Sequence, residues 1–344
     1  MKTVRSLSLA LVLGVCSMPS AYAQSPPKPD PQMKAVLDQL GMLGGKPIEK
    51  LSPAEARKQP TPADAVKMLL KKEGKSTDPE AVGNVQNTTV PGPAGPIPVR
   101  IYTPSGDGPF PVIFYIHGGG WVIATMDTYD ASPRAMVNLT NAMVVSVEYR
   151  KAPEHKFPAA HEDCYAALQY VMKHAASMKG DPKRVAVMGE SAGGNMATAI
   201  CMMARDRKGM MPIYETLVYP VANNNFNTPS YMVNAKAKPL NKPMMLWFFH
   251  HTVKSASDGN NPYLAILKGN VKMLPAATVI TDEIDPLMSE GKAYADKLKK
   301  AGIAVQYRNY TGVAHEFFGM GAVVDKAKDA EQFAAEGLKS AFNK

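Results

Sequence analysis

A serine between glycines is the first residue of this sequence whose setting supports covalent chemistry. The segment Gly189-Glu190-Ser191-Ala192-Gly193 fits the pattern G-x-S-x-G and stands between a predicted strand and a predicted helix. In that context the serine occupies a sharp, strained turn, which requires small residues two positions before and two positions after it. The turn presents the hydroxyl above the sheet, at the N-terminus of the helix. The pattern therefore predicts that Ser191 is a nucleophile.

A run of three glycines offers backbone donors for a negatively charged oxygen. The segment HGGGW occupies residues 117–121 and follows a continuous apolar, β-type run. Glycines let the backbone approach a reacting group closely, and a tetrahedral intermediate needs donors about 2.7–3.1 Å from its oxygen. We expect the N–H groups of Gly119, Gly120 and Ala192 to form this oxyanion hole, with Gly118 close by. Trp121 is interpreted as a packing residue of the pocket wall.

A nucleophilic serine needs a base, and the sequence offers three histidines after Ser191. His250 and His251 lie in the aromatic segment WFFHH, which is typical of helix packing or of a solvent-facing helix. His315 directly follows the last predicted strand. A G-x-S-x-G turn of this kind predicts the chain order Ser, then Asp or Glu, then His. His315 is therefore the predicted base.

Three carboxylates compete for the role of the acid that orients the histidine. Asp282, Glu283 and Asp285 all follow the preceding predicted strand, at 277–281. We favour Asp285 because Pro286 disfavours a helical conformation for the residue before it and so promotes an extended exit from the strand. Asp282 and Glu283 remain the alternatives.

The elements around these residues alternate between strands and helices. Short apolar runs predict strands at 111–116, 143–149, 185–188, 214–219, 277–281 and 303–310. Helical patterns follow or separate them at 132–141, 158–177, 192–205, 287–301 and 323–342. This alternation predicts an α/β fold with a parallel sheet covered by helices on both faces.

Two regions depart from the alternation. A proline-rich stretch at 24–32 precedes two predicted helices at 33–43 and 62–72, and residues 223–262 interrupt the later pattern with an aromatic helix near 243–253. We expect residues 24–84 to be a linker with N-terminal cap helices. Residues 85–344 would then form the catalytic domain, with a cap insertion near 223–262.

The first 23 residues resemble an export signal. Lys2 and Arg5 precede the apolar run 7–15, and Ala21-Tyr22-Ala23 offers an A-x-A cleavage site before Gln24. The apolar run is too short to span a bilayer about 30 Å thick as a helix. A lipoprotein interpretation based on Cys16 is disfavoured because the preceding Val15 is bulky. We expect an exported protein, periplasmic or secreted, without stable membrane insertion once the signal is removed.

Composition excludes several other classes. The chain has 344 residues, 45% of them hydrophobic and 20% charged, which is typical of a globular protein with a sizeable core. The formal net charge of +9 is mild for this length, and basic runs are interleaved with acids, so a nucleic-acid partner is not expected. Without the signal the cysteines are Cys164 and Cys201, which either form a disulfide or remain as two buried free thiols. No cysteine or histidine pattern has zinc spacing.

Five motifs in order carry a family resemblance. HGGGW, then YRKAPEHKFPAA at 149–160, then GESAGG, then Asp285-Pro286-Leu287 and finally His315 resemble the hormone-sensitive-lipase-like family of α/β-hydrolases, in its bacterial esterase branch. The resemblance covers about residues 85–342. It implies an eight-stranded, mostly parallel sheet with a small helical cap, and it supports Ser191, Asp285 and His315 as a catalytic triad. Lys151 and Glu190 depart from the family, which usually has an apolar residue and an aspartate at these positions.

The function expected from these residues is serine carboxylic-ester hydrolysis through an acyl-enzyme, without a cofactor or a metal ion. The resemblance implies short- to medium-chain esters, so the expected partner is a small-molecule ester, and a homodimer remains open. An amidase or formamidase would use the same residues. A non-catalytic binding protein on the same fold is the alternative from another class; loss of a triad residue would favour it, and none is missing.

Overall fold

One mixed sheet forms the centre of the protein. The computed structural model describes residues 25–344 and places eight strands of this part of the chain in the order β1-β2-β4-β3-β5-β6-β7-β8. The contacts of β1 with β2 and of β2 with β4 are antiparallel, and the other neighbours are parallel. The predicted α/β architecture is confirmed. The strands are β1 (Asn84–Gly92), β2 (Gly95–Thr103), β3 (Phe110–Ile116), β4 (Met143–Val147), β5 (Gly180–Glu190), β6 (Tyr214–Val218), β7 (Ala276–Ile284) and β8 (Val305–Ala314).

Ten helices of the described residues surround this sheet and connect its strands. No helix in this part of the chain is long and apolar enough to cross a membrane. The helices are α1 (Pro31–Met42), α2 (Pro53–Ala56), α3 (Pro62–Lys72), α4 (Ala131–Thr140), α5 (Ala159–His174), α6 (Ala192–Asp206), α7 (Pro229–Val233), α8 (Lys242–Thr252), α9 (Met288–Lys300) and α10 (Asp325–Phe342).

The sheet has a hydrophobic core on each face because side chains alternate along every strand. On β3, Phe114 belongs to the core that includes α5, α6 and α9, whereas Tyr115 belongs to the core that includes α1, α4 and α10. Cys164 and Cys201 both lie in the first of these cores as buried free thiols. Of the two alternatives for these cysteines, the structure therefore shows the free thiols.

The N-terminal helices begin at well-formed caps. The Asp30 side chain accepts a hydrogen bond from the Met33 N–H at 2.8 Å, and Ser52 and Thr61 each begin a capping box with a proline at the next position. α1 then docks near the end of the sheet, where the Asp30 N–H donates to the Gly312 carbonyl at 2.8 Å. These caps explain why such short helices begin at fixed positions.

The differences from the predicted elements lie mostly at strand ends. β5 begins at Gly180 instead of residue 185, and β7 and β8 continue to Ile284 and Ala314 instead of ending at 281 and 310. The short helices α2 and α7 and the edge strand β1 carry no clear periodicity. In β1 only Val90 is buried, so the apolar alternation that signals a strand is missing.

Candidate active site

Ser191 lies on a strained turn between β5 and α6. Its backbone has φ 57° and ψ −118°, and its N–H donates to the Val218 carbonyl at 2.9 Å. A Cβ atom on Gly189 would lie 2.2 Å from the Gly193 carbonyl oxygen, and one on Gly193 would lie 2.0 Å from the Ile116 carbonyl oxygen. Both positions therefore require glycine. The turn has the form of a nucleophile elbow.

His315 and Asp285 reach Ser191 from the ends of two other strands. The Ser191 hydroxyl donates to His315 Nε2 at 2.9 Å, and His315 Nδ1–H donates to Asp285 Oδ2 at 2.7 Å. His315 immediately follows β8, and Asp285 immediately follows β7. The carboxyl ends of these parallel strands thus bring three residues that are distant in the chain into one hydrogen-bonded row.

The three competing acids have different surroundings. Asp285 binds His315 and also accepts the Leu287 N–H at 2.8 Å. Glu283 points away and accepts the Gly312 N–H at 2.8 Å. Asp282 is fully buried, and within the described residues neither of its oxygens has a hydrogen-bond partner. Of the three, Asp285 is the acid that the structure joins to His315.

The electrostatics of the site favour a positively charged His315 after it accepts a proton. Burial acts to lower the pKa of His315, but the charge of Asp285 and the hydrogen bond to it outweigh burial, and the pKa is raised above its ordinary value. Glu316 acts in the same direction, with Oε1 3.8 Å from His315 Nε2. Tyr129 holds Glu316 in place by donating to it at 2.5 Å.

The glycine loop after β3 lies next to Ser191. Gly119 and Gly120 have φ values of +95° and +57°, and the Gly119 carbonyl accepts the Ile123 N–H at 2.9 Å. In the described chain no hydrogen bond occupies the N–H groups of Gly118, Gly119 and Gly120. Ala192 is the first residue of α6, so its N–H has no partner within that helix. Of these residues, Gly119 and Gly120 line the cavity around Ser191.

Glu190, the residue before the nucleophile, lies on the far side of the turn from the cavity. Its carboxyl group accepts hydrogen bonds from Tyr115 and Tyr219, each at 2.5 Å. Burial raises the pKa of Glu190 to about 7. The Tyr219 ring also packs against the His315 ring, with centroids 4.5 Å apart. The glutamate thus supports the turn and the histidine from behind.

A cavity of about 960 Å³ opens over the serine. Its floor contains Ser191, His315 and the glycine loop, and its walls include Leu37 and Leu40 of α1 and Phe248 of α8. Trp121 was expected in the pocket wall but does not line this cavity. Its side chain is 1% exposed and packs edge-on against Phe249.

One group of described side chains is close enough together to share a metal ion: Asp282, Asp285 and His315, whose ligand atoms lie within 4.8 Å of one another. The 2.7 Å hydrogen bond between His315 and Asp285 already uses the facing atoms of two of these residues. The arrangement therefore fits proton transfer better than it fits metal coordination.

A nucleophile elbow, a histidine and an aspartate at the ends of consecutive strands, and free amides beside the serine define an α/β-hydrolase. The family described as alpha/beta hydrolase fold matches residues 113–319. The chain belongs to this family, and the predicted resemblance to its hormone-sensitive-lipase-like branch is confirmed.

The relatives of this chain include several named ester hydrolases. Carboxylesterase NlhH of Mycobacterium tuberculosis is 37% identical over 72% of this chain and 79% of its own length. Ethyl acetate hydrolase of Pseudomonas putida is 30% identical over 90% of this chain and 98% of its own. Among solved structures, the esterase of the archaeon Pyrobaculum calidifontis is 34% identical, with a TM-score of 0.81 over 91% of this chain and 98% of the other.

Sequence reasoning missed the residues that support this site. Tyr219 and Glu316 contact His315, and Tyr129 binds Glu316, but buried tyrosines are equally typical of an ordinary core. The sequence shows a glutamate directly after the histidine. It does not predict the positive φ of +73° at Glu316, which accompanies the direction of this side chain toward His315.

Proposed function

We propose that this protein is a serine carboxylic-ester hydrolase that acts on small-molecule esters. The observation that carries the proposal is the hydrogen-bonded row Ser191–His315–Asp285 at the floor of an open cavity, next to unoccupied backbone amides. Relatives named carboxylesterase and ethyl acetate hydrolase support the same chemistry.

The proposed reaction passes through an acyl-enzyme. Ser191 Oγ attacks the ester carbonyl while His315 Nε2 takes the hydroxyl proton, and Asp285 holds the imidazole in the tautomer that makes this possible. The N–H groups of Gly119, Gly120 and Ala192 bind the oxyanion. Collapse of the intermediate breaks the C–O bond to the alcohol, which leaves with the proton from His315.

Deacylation repeats the same steps with water. His315 removes a proton from a water molecule, the resulting hydroxide adds to the acyl carbonyl, and the bond to Ser191 Oγ breaks. His315 then returns the proton to the serine, and the carboxylic acid leaves. No group outside the protein, the ester and water is needed to balance the reaction.

The cavity supports substrates of small to moderate size. Side chains of α1 and α8, such as Leu40, Met244 and Phe248, give the upper wall an apolar lining. A volume of about 960 Å³ is at the upper end of ordinary ligand pockets, so short- and medium-chain acyl groups both fit. We propose that the helices within residues 24–84, which otherwise form a linker, and the insertion near 223–262 together form the cap.

A panel of p-nitrophenyl esters of increasing chain length tests this function directly, with the matching anilides as the amide series. We expect turnover of the esters to exceed that of the anilides, with the highest kcat/KM at short or medium chain length. Ser191→Ala should lose nearly all turnover and keep its fold, whereas Ser255→Ala, at an exposed position, should behave as the parent protein. Unchanged turnover in Ser191→Ala would overturn the assignment of the nucleophile.

We also propose that residues 1–23 are an export signal and that the mature protein begins at Gln24 in the periplasm or the medium. The basic start, the short apolar run and Ala21-Tyr22-Ala23 support this. N-terminal sequencing of the protein from an extracytoplasmic fraction should begin at Gln24. A chain from that fraction that still begins at Met1 would contradict the proposal.

A further inference from the structure

Asp282 is a buried acid that the proposed mechanism does not use. Its side chain points from β7 into the sheet face that carries α10, and it is fully buried. One of its oxygens lies within 4.8 Å of both the Asp285 carboxylate and the His315 imidazole. It therefore stands directly behind the pair that would orient the base.

A charged Asp282 would have no compensating partner. No side-chain or backbone donor in the described part of the chain is paired with either of its oxygens. A buried carboxylate that lacks both a donor and a cation is very costly, and a second carboxylate close to it increases the cost. Asp285 is better placed to carry the single negative charge, because it accepts N–H donors from His315 and Leu287.

We propose that Asp282 is a neutral carboxylic acid whose O–H donates to Asp285. Asp282 thereby positions the acid of the triad and weakens the effect of the negative charge of Asp285 on His315. The proposal rests on the function proposed above. It gives Asp285 a third donor and gives the unpartnered side chain of Asp282 its hydrogen bond. Two neighbouring carboxyl groups would then share one proton and titrate as a pair.

The surrounding groups agree with this protonation state. Burial raises the pKa of Asp282 well above its usual range. The negative charge of Asp285, the hydrogen bond between the two carboxyl groups and then the charge of Glu316 raise the pKa further. Its own backbone N–H, the weakest influence, acts in the opposite direction. On the neighbouring strand β8, Tyr310 pairs with Asp282, and its hydroxyl group donates to Asp329, which Arg308 also binds.

Two nearly isosteric substitutions separate positioning from mere packing. Asp282→Asn keeps an N–H donor but cannot ionise, whereas Asp282→Leu fills similar space without a donor. If the proposal holds, loss of the donor leaves the full charge of Asp285 acting on His315. The acid limb of kcat/KM should then move to higher pH in Asp282→Leu, by about one pH unit, and remain in place in Asp282→Asn.

The opposite charge state predicts the opposite shift. If Asp282 is ionised in the native protein, both substitutions remove a negative charge near His315 and both move the acid limb to lower pH. That result would overturn the proposal, and so would identical pH profiles for the two variants, because a residue that only fills space does not distinguish a donor from an apolar group.

Infrared spectroscopy reads the proton without any catalysis. At neutral pH the difference spectrum between the parent protein and Asp282→Asn should contain the C=O band of a protonated carboxylic acid, and its absence would overturn the proposal. This readout stands if Asp282→Leu fails to fold or if no ester is turned over, so it separates this inference from the proposed function.

Glu215→Gln is the matched control. Glu215 is likewise buried and unpartnered, in β6, and burial raises its pKa to about 8. Glu215→Gln should remove a carboxylic acid band of the same kind, and Glu215→Leu, unlike Asp282→Leu, should leave the acid limb of kcat/KM in place. Loss of the acid band in the amide variant and a shifted pH profile in the leucine variant are thus expected at Asp282 and not at Glu215.

Discussion

At the scale of single residues, the active site depends on the distinct surroundings of three carboxyl groups within four positions. Asp285 receives N–H donors and faces His315, Glu283 is bonded to the backbone of Gly312, and Asp282 lies behind Asp285 without a donor. The same chemical group thus serves as an orienting anion, a structural acceptor and, as we propose, a neutral donor. Their order along the chain does not reveal this division.

Asp285→Asn should reduce kcat by several powers of ten, of the order of 10⁴ as in serine proteases, because the imidazole loses the carboxylate that fixes its tautomer. Glu283→Gln keeps an oxygen acceptor for Gly312 and should stay near the activity of the parent protein. The measurement is turnover at saturating ester and neutral pH. If Asp282→Asn or Glu283→Gln proves the most damaging of the three changes, the assignment of the acid is wrong.

The pH dependence of kcat/KM follows from the raised pKa of His315. His315 must be neutral to accept the serine proton, so activity should fall as the pH drops through its pKa, and the midpoint should lie above the ordinary value of about 6.5. Initial rates across a pH series measure this midpoint. The residual activity of Asp285→Asn should have its midpoint at lower pH, because the main influence that raises the pKa is gone. A midpoint below the ordinary value in the parent protein would contradict this account.

At the scale of elements, the cap and the oxyanion loop are in direct contact. α8 places Phe248 against Gly120, where a Cβ atom would lie 2.3 Å from the phenyl ring. Trp247 of the same helix donates to the Leu51 carbonyl at 3.1 Å, which joins α8 to the N-terminal segment. The wall of the substrate cavity and the donors for the oxyanion therefore share one packing contact.

Gly120→Ala should lower kcat by about 10²-fold, because the new methyl group must displace Phe248 or shift the loop amides. Gly302→Ala is a suitable control, since Gly302 also has a positive φ, +82°, but has no atoms within 4 Å of its would-be Cβ. Both variants carry similar backbone strain, on the order of 1 kcal/mol. Steady-state kinetics and melting temperatures of the pair separate the two effects; equal kinetic losses would show that the contact with Phe248 is unimportant.

Sequence patterns located the elements that position the site better than they located its supporting residues. The elbow at Ser191 and the position of His315 after a strand were visible, because glycine spacing and apolar runs report local backbone geometry. The end of β7 cannot be predicted in the same way, because Asp282 and Glu283 are charged residues inside a strand. A buried charge is stabilised by partners from elsewhere in the fold, and no local pattern encodes them.

At the scale of the whole molecule, burial raises the pKa of several acids that lie outside the active site. Glu215 in β6 and Glu331 in α10 both have a pKa raised to about 8, mainly by burial. A raised pKa in the folded state means that the native protein holds protons that the unfolded chain has already released. Stability from these groups is therefore complete below about pH 4.5 and declines as the pH rises toward 8.

Glu215→Gln should stabilise the protein at pH 8 and not at pH 4, because the amide never carries the buried charge. The gain in free energy of unfolding at pH 8 should be on the order of a few kcal/mol. Urea denaturation of the parent protein and the variant at several pH values measures the difference. A difference that does not grow with pH would show that Glu215 is not a neutral acid in the folded state.

The spacing of the catalytic residues along the chain has a consequence for how activity returns during refolding. Ser191 and His315 are 124 positions apart, and the end of β8 just before His315 also accepts a hydrogen bond from the Asp30 N–H near the start of the described chain. The site exists only once the central strands, the last strand and the N-terminal segment have all found their places. After dilution from denaturant, ester hydrolysis should therefore recover more slowly than the helical circular dichroism signal. The return of enzyme activity then reports the last steps of folding.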